Sequence, residues 1–289
     1  MSYENLQAEF QVVSVELNNP FAKLGEFSLG KFRKFSDLTS DFMKRTLSLL
    51  DTNHPNGLYT GYTKEVDDAF RTKKVVYSDL QPVQVFVPDF LKPNTKMLDY
   101  AQALRNDLEI CKRIVKNAPD ELESIVNGYL GNPQRLRDPL LINVQAPAGL
   151  SLIELDRAVA EQRKINEKIM TSTGTSSVRT FKDAYARIGD YTHTNQIAIE
   201  VNGTYGEQCL GLKAYLKRVE DANQAVDKLL DKINRVEGYE MNGAVASYLT
   251  QQVYRLAMLT EFYGATMYNA QVFLKSLQDT NIALQRVTQ

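Results

Sequence analysis

The last 142 residues of this 289-residue chain contain no proline; all nine prolines lie at or before Pro147. Proline lacks a backbone donor and breaks helix interiors, so its absence leaves the second half free to form long helices. Cysteine is almost as scarce. Cys111 and Cys209 are the only two, too few for a disulfide framework and without a CxxC pair. The two histidines, His54 and His193, show no HExxH spacing, which argues against a histidine-based zinc or iron centre. An excess of either charge is also lacking: Lys plus Arg number 34 against 35 Asp plus Glu. The balance holds along the chain, so no basic arm is offered to nucleic acid or an anionic surface. No apolar run reaches the roughly 18 residues of a membrane span. Residues 1–10 include Glu4, Asn5, Gln7 and Glu9, where a signal peptide needs an unbroken apolar stretch. The expected location is the cytoplasm, or a particle assembled there.

What is present divides the chain into 1–149 and 150–289. The first part is expected to be a mixed α+β domain with short strands. Phe10, Val12, Val13, Val15 and Leu17 alternate loosely, whereas Phe35, Leu38, Phe42, Leu49 and Leu50 share a helical face. A short helix is expected over 63–74. Val83, Val85 and Val87 alternate between Pro82 and Pro88, the pattern of a short edge strand. Thr95 is placed to cap a helix bearing Leu98, Ala101, Leu104, Leu108, Cys111 and Val115 on one face. Pro119 suits the first position of a following helix, with Leu122, Ile125, Val126 and Tyr129 as its stripe and Gly131 at its close. Residues 132–149 hold three prolines and read as a linker.

The second part is expected to be a long-helix, coiled-coil-like bundle. Ser151 and Glu154 form a capping box, and 171–177 reads as a small joint. Val178, Phe181, Tyr185 and Ile188 then follow helical spacing, with an interruption expected at Gly189 or Gly203. Cys209, Leu212, Leu216, Val219, Asn223, Val226, Leu230 and Ile233 follow seven successive steps of three and four, the heptad pattern. Tyr215, Ala222, Leu229 and Val236 widen that stripe to one that contacts two neighbours. Asn223 falls at an a position, where an amide sets register. A second register runs from Leu249 through Leu256, Tyr263, Ala270 and Leu277 to Leu284, which predicts a helix from Gly243 to Val287. Its only charges are Arg255, Glu261, Lys275, Asp279 and Arg286, so most of its circumference must be covered. Leu249, Leu256, Phe262, Tyr263, Phe273 and Leu277 are accordingly expected to form an interface with further copies or with a partner protein.

Other features resolve into structural readings. Gly203-Thr204-Tyr205-Gly206 with Lys213 lacks the Gly-Lys-Ser/Thr of a phosphate loop. Cys209 follows His193 by sixteen residues but sits in the heptad as a small hydrophobe. Lys31-Phe32-Arg33-Lys34-Phe35 interleaves bases with rings, in a setting of balanced charge that favours a snorkelling amphipathic turn. No cofactor or metal is expected. The fold class is mainly α. The function expected is that of a non-enzymatic structural or assembly subunit, as in a phage virion or a similar particle. A helical regulatory or inhibitory protein acting on a partner is the first alternative, and an enzyme with an unfamiliar helical site the second.

Overall fold

The computed structural model describes residues 36–37, 39–41, 43–44, 47–53, 55–62, 64–137, 176–235 and 241–288. The fold is mainly α. The described residues within 36–49 are helical, and a 3-10 turn follows at Pro55–Gly57. Next come α1 (Lys64–Arg71), α2 (Tyr77–Leu80), β1 (Gln84–Pro88) and α3 (Met97–Gly131). A 3-10 turn at Pro133–Leu136 precedes β2 (Ser176–Thr180), α4 (Phe181–Ala184), α5 (Ile188–Arg235) and α6 (Gly243–Thr288). The long helices pack as a bundle. Two compact units are formed, one from Met1–Lys44, Arg113–Leu155 and Lys213–Glu261, the other from Arg45–Lys112, Asp156–Leu212 and Phe262–Gln289. Each draws on both the proline-containing and the proline-free part of the chain. Residues 138–149, the last two thirds of the expected linker, and the Ser151/Glu154 box lie outside the described residues.

In the first unit the buried stripe Ile114, Ala118, Leu122, Val126 and Tyr129 of α3 repeats at helical spacing. On α5, Val219, Asn223, Val226 and Leu230 are buried together with Tyr215, Ala222 and Leu229, the wide face expected of a bundle helix. The Tyr215 hydroxyl lies 3.1 Å from that of Thr260 on α6. Asn242 begins α6 as a side-chain cap, its Oδ1 accepting the Ala244 amide at 2.8 Å.

Pro119 corrects one expectation. It does not open a new helix; it lies inside the continuous α3. Having no N–H, it leaves the Val115 carbonyl without its helical donor. Arg218 of α5 provides one. Its Nη1 donates to the Val115 carbonyl at 2.7 Å, its Nη2 to that of Lys116 at 2.8 Å, and its Nε to Asp120 Oδ1 at 2.8 Å. One guanidinium thus satisfies the turn that proline disrupts, which sequence-local rules cannot anticipate.

In the second unit β1 and β2 pair antiparallel, with Gln84 opposite Thr180 and Pro88 opposite Ser176. Val85 and Val87 point into the core, as their alternation predicts. The end of the expected joint and Val178, expected to be helical, are strand: Ser176–Thr180 is held by a partner some ninety residues away, and its Val and Thr suit a pleated surface. Arg179 steadies the turn leading to α3 by donating to the carbonyls of Leu91, Lys92 at 3.2 Å and Pro93 at 3.3 Å. The interruption expected at Gly189 or Gly203 does not occur, since α5 runs through both. A glycine inside a helix costs about 1 kcal/mol relative to alanine, and the buried face of α5 offsets it. At Gly206 the exposed Asn56 side chain comes so close that a larger residue would displace its Oδ1.

The Arg218 arrangement yields a testable coupling. Arg218→Met keeps the aliphatic stem and removes the donors, and should lower the stability measured by urea unfolding by about 1–2 kcal/mol. In a Pro119→Ala background the restored amide serves Val115 instead, so the same substitution should cost clearly less. Equal losses in both backgrounds would show that Arg218 acts only through Asp120.

Candidate functional site

The densest buried polar cluster lies in the second unit, where α5 and α6 meet the 58–62 segment. Tyr59 donates to Asn195 Oδ1 at 2.7 Å, and Asn281 Nδ2 donates to the same oxygen at 3.0 Å. Tyr191 donates to Asn281 Oδ1 at 2.7 Å, and Asn195 Nδ2 returns to the Tyr191 carbonyl at 2.9 Å. The network closes on itself. Tyr185 and Phe70 meet the Tyr191 ring edge-on, with centroids 5.4 and 5.9 Å away, and Phe181 and Tyr62 tilt against it at 5.9 and 5.8 Å. Burial, more than any neighbouring charge, pushes the hydroxyls of Tyr59, Tyr185 and Tyr191 above the usual tyrosine value. The Tyr59 and Tyr191 hydroxyls are neutral and hydrogen-bonded within the network, whereas that of Tyr185 has no partner among the described residues. The cluster makes a structural anchor rather than an acid–base pair.

A second set of anchors uses α6 side chains to hold main chain. Gln271 Oε1 accepts the Asp51 amide at 2.6 Å and the Tyr205 hydroxyl at 2.9 Å, while its Nε2 donates to the Leu49 carbonyl at 3.1 Å. The end of the 36–49 helical segment, where carbonyls lose their helical donors, is tied down this way. The Thr280 hydroxyl both accepts from the Phe86 amide and donates to the Phe86 carbonyl, each at 2.9 Å. It closes the edge of β1 that β2 leaves open. Gln278 accepts the Thr60 amide at 2.8 Å.

An open cleft of about 700 Å³ is lined by Tyr62, Lys64, Asp67, Phe70, Arg71, Thr192 and Gln196. Its only carboxylate, Asp67, is paired with Arg71 at 2.9 Å and accepts from Tyr62 at 3.3 Å. Among the described residues no second acid lines it. The carboxyls of Glu121 and Asp279 are raised by burial, but each faces a cation, Arg255 and Lys275 respectively. Among the described residues no group of three metal-ligating side chains converges, and no helix is long and apolar enough to cross a membrane.

The sequence candidates fall as follows. His193 is exposed on α5, while Cys209 is buried, its thiol pushed up chiefly by desolvation; that disfavours the nucleophilic thiolate. Gly203 to Gly206 lies in the interior of α5 rather than in a loop, so its amides are spent within the helix. His54 and Lys31 to Phe35 lie outside the described residues. Asn223 is buried; its Nδ2 reaches the Ser36 carbonyl at 3.5 Å, and its Oδ1 has no partner among the described residues.

Leu249, Leu256, Phe262, Tyr263, Phe273 and Leu277 all lie in the chain's own core, each no more than 2% exposed. The expected cover by another chain is therefore replaced by the chain's own fold. Besides a partner helix, α3, β1 and the 49–51 segment cover α6: Phe273 meets Tyr100 at 6.0 Å, and Gln271 and Thr280 reach the other two. Sequence reasoning missed Gln271, Thr280, Asn195 and Tyr59. The one available signal was that uncharged polar residues recur along α6 where charges are absent.

Compared with protein-family models, with curated proteins and with solved structures, the chain matches none.

Burial sets the alkaline behaviour. Tyr59, Tyr100, Tyr185, Tyr191 and Tyr205 are raised above the ordinary value of 10.0, so the folded state keeps protons that the unfolded chain releases. Their stabilisation is whole below pH 10 and is lost as pH rises beyond it. Tyrosinate absorbance should therefore rise in two phases, exposed tyrosines first and the buried ones together with the loss of helical circular dichroism. Complete titration of all 15 tyrosines with helicity intact would contradict the buried network.

Proposed function

We propose that the chain is a non-enzymatic structural subunit that associates with further copies or with a partner protein in a larger assembly, of which a virion is one example. One observation carries the reading. Three buried polar side chains of α6 are committed to the chain's own backbone and side chains: Gln271 to Leu49, Asp51 and Tyr205, Thr280 to Phe86, and Asn281 to Tyr191 and Asn195. Catalytic sites instead aim polar groups with perturbed ionisation into a cleft a substrate can enter. Here the perturbed groups are mostly buried phenols and thiols held neutral, and the cleft beside Tyr62 presents one carboxylate already paired with arginine. Such a design maintains a shape, which is what an assembly subunit supplies.

Light scattering coupled to size-exclusion chromatography tests the reading. The chain at tens of micromolar, on the order of the working range for weak association, should run with a mass above that of the 32.7 kDa monomer. A monomer at every concentration would oppose self-association and favour a protein that occupies a partner.

A further inference from the structure

Asn-Gly is the pair in which a backbone nitrogen most readily reaches the preceding side-chain amide, because glycine has no side chain to block the approach and turns freely. The chain contains four: Asn56-Gly57, Asn127-Gly128, Asn202-Gly203 and Asn242-Gly243. The fold treats them unequally. Asn127-Gly128 and Asn202-Gly203 lie inside α3 and α5, where the helix engages the glycine amide and fixes the backbone. Freeing it means opening turns whose other faces, Val126 with Tyr129 and Val201 with Tyr205, are core. Asn242 is held at three atoms: its amide donates to the Leu136 carbonyl at 2.7 Å, its carbonyl accepts the Ala246 amide at 2.9 Å, and its Oδ1 accepts the Ala244 amide at 2.8 Å. Asn56 is different. It sits in the three-residue 3-10 turn Pro55–Gly57, it and Gly57 are exposed, and no hydrogen bond restrains its side chain among the described residues. A lone 3-10 turn has weak hydrogen-bond geometry and opens locally.

We infer that Asn56 is a site of spontaneous deamidation and isomerisation, the one of these four pairs that converts in the folded chain. The inference goes beyond the assembly reading and does not depend on it. The Gly57 nitrogen, on losing its proton, bonds to Asn56 Cγ, and the bond from Cγ to Nδ2 breaks, releasing ammonia with that proton and leaving a five-membered imide. Water then opens the ring. Addition at Cγ breaks its bond to the Gly57 nitrogen and gives aspartate; addition at the main-chain carbonyl carbon of Asn56 gives isoaspartate, with the chain now running through Cγ. Both products exchange a neutral amide for a carboxylate, and the second adds a methylene to the main chain. Asn56 lies between two anchors of its segment, the Asp51 amide on Gln271 at 2.6 Å and the Tyr59 hydroxyl on Asn195 at 2.7 Å, and its Oδ1 packs closely over Gly206 of α5. Conversion changes the spacing between those anchors and charges the contact over α5. It therefore loosens, with time, the segment that ties α5 to α6.

Peptide mapping by mass spectrometry of the full chain, incubated at mildly alkaline pH, tests the site, with enzymatic methylation of isoaspartate as a second readout. In the folded chain Asn56 should convert at least about tenfold faster than the other three, whose conversion awaits the opening of packed helices or of a cap. In urea all four should convert at similar rates, since only the fold distinguishes them. Gly57→Ala, at a position without positive φ, should leave helicity unchanged and suppress conversion at Asn56. Amide exchange across 49–62 should quicken in the converted chain. Conversion of Asn127, Asn202 or Asn242 as fast as that of Asn56 in the folded chain, or an Asn56 left intact over the time in which the urea-unfolded chain converts, would overturn the site. Unchanged exchange across 49–62 after conversion would overturn its effect on the anchors.

Discussion

A polar group on a helix buried around nearly its whole circumference must find its partner inside the fold, and α6 is such a helix. Gln271, Thr280 and Asn281 do so, while the Ser276 hydroxyl has none among the described residues. Over 256–274 every residue except Glu261 and Tyr268 is buried. Desolvating an amide or hydroxyl without a partner costs about 1–3 kcal/mol, so the polar residues of α6 dictate what must surround it. Gln271 requires the 49–51 turn and Tyr205; Thr280 requires the backbone of Phe86; Asn281 requires Tyr191 and Asn195. Apolar packing drives the burial, but it is not directional. The hydrogen bonds select which neighbours arrive and at what height along the helix.

The other long helices show the same logic where local preference is violated. Pro119 leaves the Val115 carbonyl of α3 to an Arg218 donor, and at Gly206 of α5 the Asn56 side chain comes close to the helix. In each case a residue unfavourable for the helix is matched to a group distant in sequence. The consequence is mutual support: the turn of α3 around Pro119 has its freed carbonyl satisfied from α5. Side chains that could in other settings titrate or react are neutral here, with Tyr59, Tyr191 and Cys111 all pushed upward mainly by burial.

Periodicity was legible and partnership was not. The spacing of Leu104, Leu108 and Cys111, the alternation of Val85 and Val87, and the positions Cys209, Leu212, Val219, Asn223, Val226 and Leu230 of the heptad run all appear as buried helix and strand faces. Leu216 and Ile233 of the same run are half-buried. The start of α6 at Gly243 and its great length followed from missing prolines and charges. The cover of α6 did not, since it comes from α3, β1 and the 49–51 turn, segments that sequence distance hides. Ser176 to Thr180 was misread for the same reason: a five-residue strand is defined by its partner β1. Of the expected interface residues, Phe273 and Leu277 were correctly read as needing cover, and the error lay in seeking it outside the chain.

If α6 is the member on which the other elements depend, its amides open only when the whole fold opens, whereas peripheral elements open locally. Native-state hydrogen exchange read by mass spectrometry measures this directly. Peptides covering 256–274 should exchange slowest of all, with the free energy of global unfolding and with the denaturant dependence of global unfolding, while α1 and β2 exchange earlier. Exchange of 256–274 as fast as that of α1, under conditions where α3 and α5 remain protected, would contradict the account.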